Sequence, residues 1–90
     1  MNNDKLISEV KGLLSKCFKT AYIEITDDSK NHVGHSGNTG GAHLNLEIVS
    51  VDFEGLSRVE RHKFIYKCLE GFIPVKIHAL KVIALSPSEL

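Results

Sequence analysis

Apolar residues recur along the chain at two different periods. Between residues 4 and 18, Leu6, Ile7, Val10, Leu13, Leu14, Cys17 and Phe18 fall three or four apart, the signature of an amphipathic helix. Asn3 stands where an N-cap belongs, and Asp4 suits the positive end of a helix. Residues 21–26 switch to alternation, with Ile23 and Ile25 on one side and Tyr22, Glu24 and Thr26 on the other, as in a strand. Residues 43–51 repeat this, setting Leu44, Leu46 and Ile48 against His43, Asn45 and Glu47, which predicts a sheet covered on one side.

Helical spacing returns over 57–70, with Val59, Ile65, Tyr66 and Leu69 as the apolar stripe and His62 at its edge, read as a packing residue. Ser57 and Glu60 have capping-box spacing, Gly71 fits just past the helix end, and Pro74 forbids continuation. Residues 76–85 read as a third strand, but Lys81 interrupts one face and His78 the other, so its faces stay unassigned. There is no internal repeat or domain boundary, and the expectation is a single domain over 1–90.

The order is α-β-β-α-β. Strands one and two should pair antiparallel, and the second helix should cross over to bring strand three parallel to strand two, right-handed. In a parallel pair both strand starts lie at one end of the sheet. That end receives His43, His78 and the loop carrying His32 and His35.

Residues 27–42 hold four of the seven glycines and almost nothing that builds a core. A loop of this length usually carries function. The net charge is zero, which argues against a strong sequence-independent grip on nucleic acid. The balance is uneven, however: residues 1–55 carry five basic and eight acidic side chains, residues 56–85 six basic and two acidic. Arg58, Arg61, Lys63 and Lys67 thus read first as a solvated helix face and second as a surface able to meet an acidic partner.

Cys17 and Cys68 show no paired spacing and are read as small packing residues rather than a disulfide framework. With no leader pattern and no long apolar run, a reducing cytoplasm is the expected compartment and no membrane is implied.

Imidazoles suit zinc, copper and iron, so His32, His35, His43 and His78 are the candidate metal ligands. Nucleophilic catalysis lacks an activated thiol or a serine elbow. The overlapping G-x-x-G runs at 34–40 precede a strand, not a helix start, and so lack the dipole of a phosphate site.

Four ordered segments resemble the BolA family: Asp28-Ser29-Lys30-Asn31-His32-Val33-Gly34-His35; Gly40-Gly41-Ala42-His43-Leu44; the run from Ile48-Val49-Ser50 through Phe53 to Lys63; and Ile77-His78-Ala79-Leu80. The resemblance implies a KH-like αββα(α)β sandwich, an α+β fold with a three-stranded mixed sheet, helices on one face and a short helical turn near 52–56. It implies no enzymatic activity, a monomer in isolation, and a role in iron–sulfur handling or stress-linked regulation.

The implied partner is a monothiol glutaredoxin, with a [2Fe–2S] cluster shared between the two proteins and glutathione. His78 is then the first ligand, His35 or His43 the second, and His32 the third choice. Histidine ligation of such a cluster is chemically sound. Other family members are described as DNA-binding transcriptional regulators, which here would use Arg58, Arg61, Lys63 and Lys67. A mononuclear zinc or copper site on the same histidines is the remaining reading.

Overall fold

The computed structural model describes residues 3–29 and 41–90. Helix α1 (Asp4–Cys17) leads into strand β1 (Thr20–Asp27). Strand β2 (Ala42–Ser50) is followed by a 3-10 turn at Val51–Phe53, helix α2 (Arg58–Cys68) and strand β3 (Ile77–Leu85). A second 3-10 turn spans Pro87–Glu89. The sheet order is β1-β2-β3, with β1 antiparallel and β3 parallel to the central β2. These are the expected elements, pairings and turn.

The core lies between the two helices and one face of the sheet. Val10 and Leu14 from α1 meet Leu44, Leu46 and Ile48 from β2, Phe53 from the turn, and Ile65 and Leu69 from α2, all buried. The alternation read from β2 holds: its leucines and isoleucine point inward, while His43, Asn45 and Glu47 look to the open face.

The α2 stripe is different from the expectation. Ile65 and Leu69 are buried, but Val59 is 63% exposed and Tyr66 40%. Arg61, read above as part of a basic surface, is only 6% exposed. A guanidinium can be buried when its donors find acceptors. Here Nε donates to the Leu56 carbonyl at 3.0 Å, and Nη1 to the Ala84 carbonyl at 2.9 Å and to Glu89 at 2.6 Å. Its charge also lies 6.0 Å from the centre of the Phe53 ring. His62 is exposed rather than packed. The capping box forms as read, with Glu60 N–H to Ser57 Oγ at 3.1 Å and Ser57 N–H to Glu60 Oε1 at 2.9 Å.

The cysteine reading needs the larger correction. Cys17 and Cys68 are joined in a disulfide across 51 residues of chain. Their separation in sequence hid the pairing, since only the packing of α1 against α2 brings the two helix ends together. Asn3 also departs from expectation: its side chain makes no cap bond and donates instead to Asp27 Oδ2 at 2.9 Å.

Glu89 closes the chain onto α2, accepting from the Ser86 backbone N–H, the Ser86 hydroxyl and Arg61. These bonds, the Ser86 N–H foremost, hold its carboxyl at about 2, below the usual 4.5. A carboxyl depressed on folding stabilises above its unfolded value, and that contribution is lost as pH falls through the folded one. Urea unfolding of the wild type should therefore show stability falling from about pH 4.5 towards 2, with a shallower slope in Glu89→Gln. Equal slopes in the two proteins would refute this role.

Candidate functional site: a histidine pair at one end of the sheet

The parallel pairing of β2 and β3 brings two of the candidate ligands together. The register runs Ala42 to Ile77 and then His43 to Ala79, so His78 is the extra residue of a bulge. A bulge re-aims side chains and shifts the strand's in–out phase. Ile77 is accordingly buried, His78 exposed, and Leu80, Val82 and Ala84 pack on the core. This phase change is why neither face of the third strand read cleanly in sequence. The rings of His43 and His78 stand 5.3 Å apart, centroid to centroid, inclined at 45°.

Each histidine is held through its backbone. His43 N–H donates to Ser29 Oγ at 3.0 Å, and the His43 carbonyl accepts from Asp28 N–H at 2.7 Å. Ser29 is oriented in turn by its N–H to Asp27 Oδ1 at 2.8 Å. Serine and aspartate in this loop are therefore positioning residues, a role the sequence reading did not give them. On the other strand, Lys76 and Ile77 both donate to the Phe72 carbonyl at 2.9 Å, which fixes the turn leading into His78. Gly41 provides the fit between the strands, because a Cβ placed there would lie 2.6 Å from the His78 Cβ and 2.9 Å from the Val75 carbonyl oxygen. Gly41 also escaped the sequence reading as a positioning residue; its place in the Gly-Gly-Ala-His run was the available signal.

His32 and His35 lie outside the described residues. Among the described residues, no three His, Cys, Asp or Glu side chains are grouped to hold a metal ion. What the structure brings together is a pair of imidazoles at an exposed edge. Two side chains of a type that binds zinc, copper and iron stand side by side there.

The basic residues lie elsewhere. Arg58, Lys63 and Lys67 are exposed on α2, whereas Arg61 is not. Between α2 and β3 runs a groove of about 390 Å³ whose lining includes Arg58, Val59, His62, Val82 and Ile83. The turn before α2 turns on Gly55 at φ +76°, and Glu54 beside it accepts from Ser88 Oγ at 2.7 Å. That bond, first among several, lowers the Glu54 carboxyl's pKa. No helix among the described residues is long and apolar enough to cross a membrane.

Comparison with known proteins agrees with this fold. The family described as BolA-like protein matches residues 14–89. Protein BOLA1, chloroplastic, of Arabidopsis thaliana is 35% identical over 86 residues, covering 91% of this chain and 54% of that protein. SufE-like protein 1, chloroplastic/mitochondrial, from the same plant is 36% identical over 87 residues, covering 90% of this chain and 24% of that protein. The chain thus spans about half of the first relative and about a quarter of the second.

The protein named DNA-binding transcriptional regulator BolA of Haemophilus influenzae is 33% identical, covering 84% of this chain and 72% of its own. Among solved structures, the BolA domain of SufE1 from Arabidopsis thaliana superimposes with a TM-score of 0.80 at 37% identity, covering 92% of this chain and 93% of that one. The fold is the α+β arrangement of a BolA domain, and the chain belongs to the BolA family.

Proposed function

We propose that this protein is a non-enzymatic iron–sulfur adaptor that shares a [2Fe–2S] cluster with a monothiol glutaredoxin in a heterodimer, working in the cytoplasm. The observation that carries the reading is the pairing of His43 and His78 at an exposed sheet end, 5.3 Å between ring centroids. His78 and His43 would hold one iron, with His35 or His32 as the alternative second donor, and the partner's cysteine and glutathione would hold the other. When bound, the cluster supplies electron storage and a transferable iron–sulfur unit. The chain's own part is to present two imidazoles side by side on strand backbone placed by the bulge at His78 and the Ser29 bond to His43. Histidine ligands replacing thiolates on one iron of such a cluster are chemically sound.

The test is to mix the protein with a cluster-loaded monothiol glutaredoxin and record visible absorption and circular dichroism. The wild type should produce a mixed-complex spectrum distinct from that of the glutaredoxin alone, and His78→Ala should abolish it. An unchanged spectrum in His78→Ala would sink the ligand assignment.

The second reading is DNA binding. It is favoured by the Haemophilus relative's name and by exposed Arg58, Lys63 and Lys67 on one helix. With Arg61 committed to internal bonds, this surface offers three cations instead of four. Three phosphate contacts would give a slope of roughly −3 in log affinity against log salt. Binding that shows no salt dependence, or survives loss of all three cations, would end this reading.

A further inference from the structure

The Cys17–Cys68 disulfide is at odds with the composition of the chain. Two cysteines do not make a disulfide scaffold, and the two helices also meet through a core of their own. At the contact between α1 and α2, Val10, Leu14, Ile65 and Leu69 are each no more than 1% exposed, so the helices are already held by a closed apolar core. The disulfide lies at the margin of that core. Cys17 is exposed and Cys68 half-buried. A cross-link that is accessible and at the margin of the core is open to exchange, since rate depends on access to the sulfur under attack.

Two further observations give the cross-link a place in the fold. The Cys68 sulfur lies 3.7 Å from the Leu13 carbonyl oxygen. A disulfide sulfur has no proton to donate, so the thiol made by reduction meets an acceptor already in position. Cys68 is also the last residue of α2. The segment after it carries the Phe72 carbonyl that binds the Lys76 and Ile77 amides, and the Val75 carbonyl that lies against Gly41 beside His78. The disulfide therefore ties α1 to the segment that delivers His78 to the sheet edge.

We propose that Cys17–Cys68 is a thiol–disulfide exchange site whose co-substrate is a dithiol, and that it reversibly couples α1 to the segment entering β3. In the reducing direction, one thiolate of the dithiol attacks Cys17 Sγ. The S–S bond breaks, and Cys68 leaves as a thiolate that takes up a proton. The second thiolate then attacks its partner sulfur in the mixed disulfide, freeing Cys17 as a thiolate that is also protonated. Two electrons and two protons pass to the protein, and the dithiol ends as a disulfide. Oxidation is the same sequence in reverse, with an oxidised dithiol as acceptor.

The test uses the full chain with dithiothreitol and its oxidised form as probes. Alkylation followed by mass spectrometry counts free thiols, circular dichroism follows the fold, and amide exchange follows Phe72, Lys76 and Ile77. The oxidised protein should take no label, then two after dithiothreitol without denaturant, and return to none in the oxidised reagent. The reduced protein should stay folded, with its thermal midpoint lower by about 10 °C or more for loss of so long a closed loop. Its Phe72, Lys76 and Ile77 amides should exchange faster. Cys68→Ser should reproduce the reduced protein's midpoint and ignore both reagents.

Failure to close in the oxidised reagent, or resistance to dithiothreitol until denaturant is added, would overturn the exchange site. Unfolding on reduction would mean the cross-link is structural and not a reversible tie. Equal amide exchange in the two states would overturn the coupling to the histidine edge.

Discussion

Phe53→Ala should lower stability by about 4 kcal/mol, read as a fall in the urea midpoint at unchanged slope. Phe53 is fully buried and is one of the largest side chains in the core. Its ring packs at 5.1 Å from that of Phe18, which follows α1, and forms the floor beneath the Arg61 guanidinium. Alanine would lose the transfer free energy and leave a cavity that the surrounding core would fill only in part. The effect on the histidine pair should be small, because Phe53 follows the C-terminal end of β2 and the histidines lie at its start. A cross-relaxation signal between the His43 and His78 rings should therefore persist in the folded fraction. A stability loss below about 1 kcal/mol would show that the core is not centred on this residue.

Gly41→Ala should cost about 2–3 kcal/mol and separate the two rings. The added methyl would meet the His78 Cβ at 2.6 Å and the Val75 carbonyl at 2.9 Å, neither of which is the loose end of a long side chain. Relief requires the start of β2 to move away from β3, against the Ala42 N–H bond to the Lys76 carbonyl at 3.0 Å. The measurement is the ring-to-ring signal together with the urea midpoint, with no partner protein present. A variant of full stability with the rings still in contact would show that Gly41 does not position His78. If instead the rings separate while the mixed spectrum with glutaredoxin survives, the positioning role stands and the ligand assignment is what fails.

Much of the architecture was legible because hydrophobic period and pairing rules act locally. Leu44, Leu46 and Ile48 announce a one-sided strand, Ser57 and Glu60 announce a helix start, and a strand–helix–strand unit leaves little choice but a parallel pair. From that topology the meeting of His43 and His78 at one end of the sheet followed, and their ring contact agrees with it. What escaped depends on relations between distant residues. Arg61 looks like a surface charge until Leu56, Ala84 and Glu89 are placed around it. Val59 and Tyr66 look like core until that arginine takes the inward position. Cys17 and Cys68 each look like packing until the helices meet. Ser29 and Gly41 look like ordinary loop residues until the strand starts are brought alongside them.

The arginine that left the basic surface has a further consequence at the rim of the sheet. Strand β3 is an edge strand, and an edge strand with open backbone groups is a template for unwanted pairing with another chain. Arg61 caps the Ala84 carbonyl and Tyr66 caps the Leu80 carbonyl at 3.2 Å, so α2 reaches over the rim at two points four residues apart. Between the two capped carbonyls lies the Val82 carbonyl, which points the same way because alternate residues of a parallel pair turn their backbone groups to one side. Helix α2 thus covers part of this rim, and a chain that lost both caps would be expected to self-associate more readily through β3.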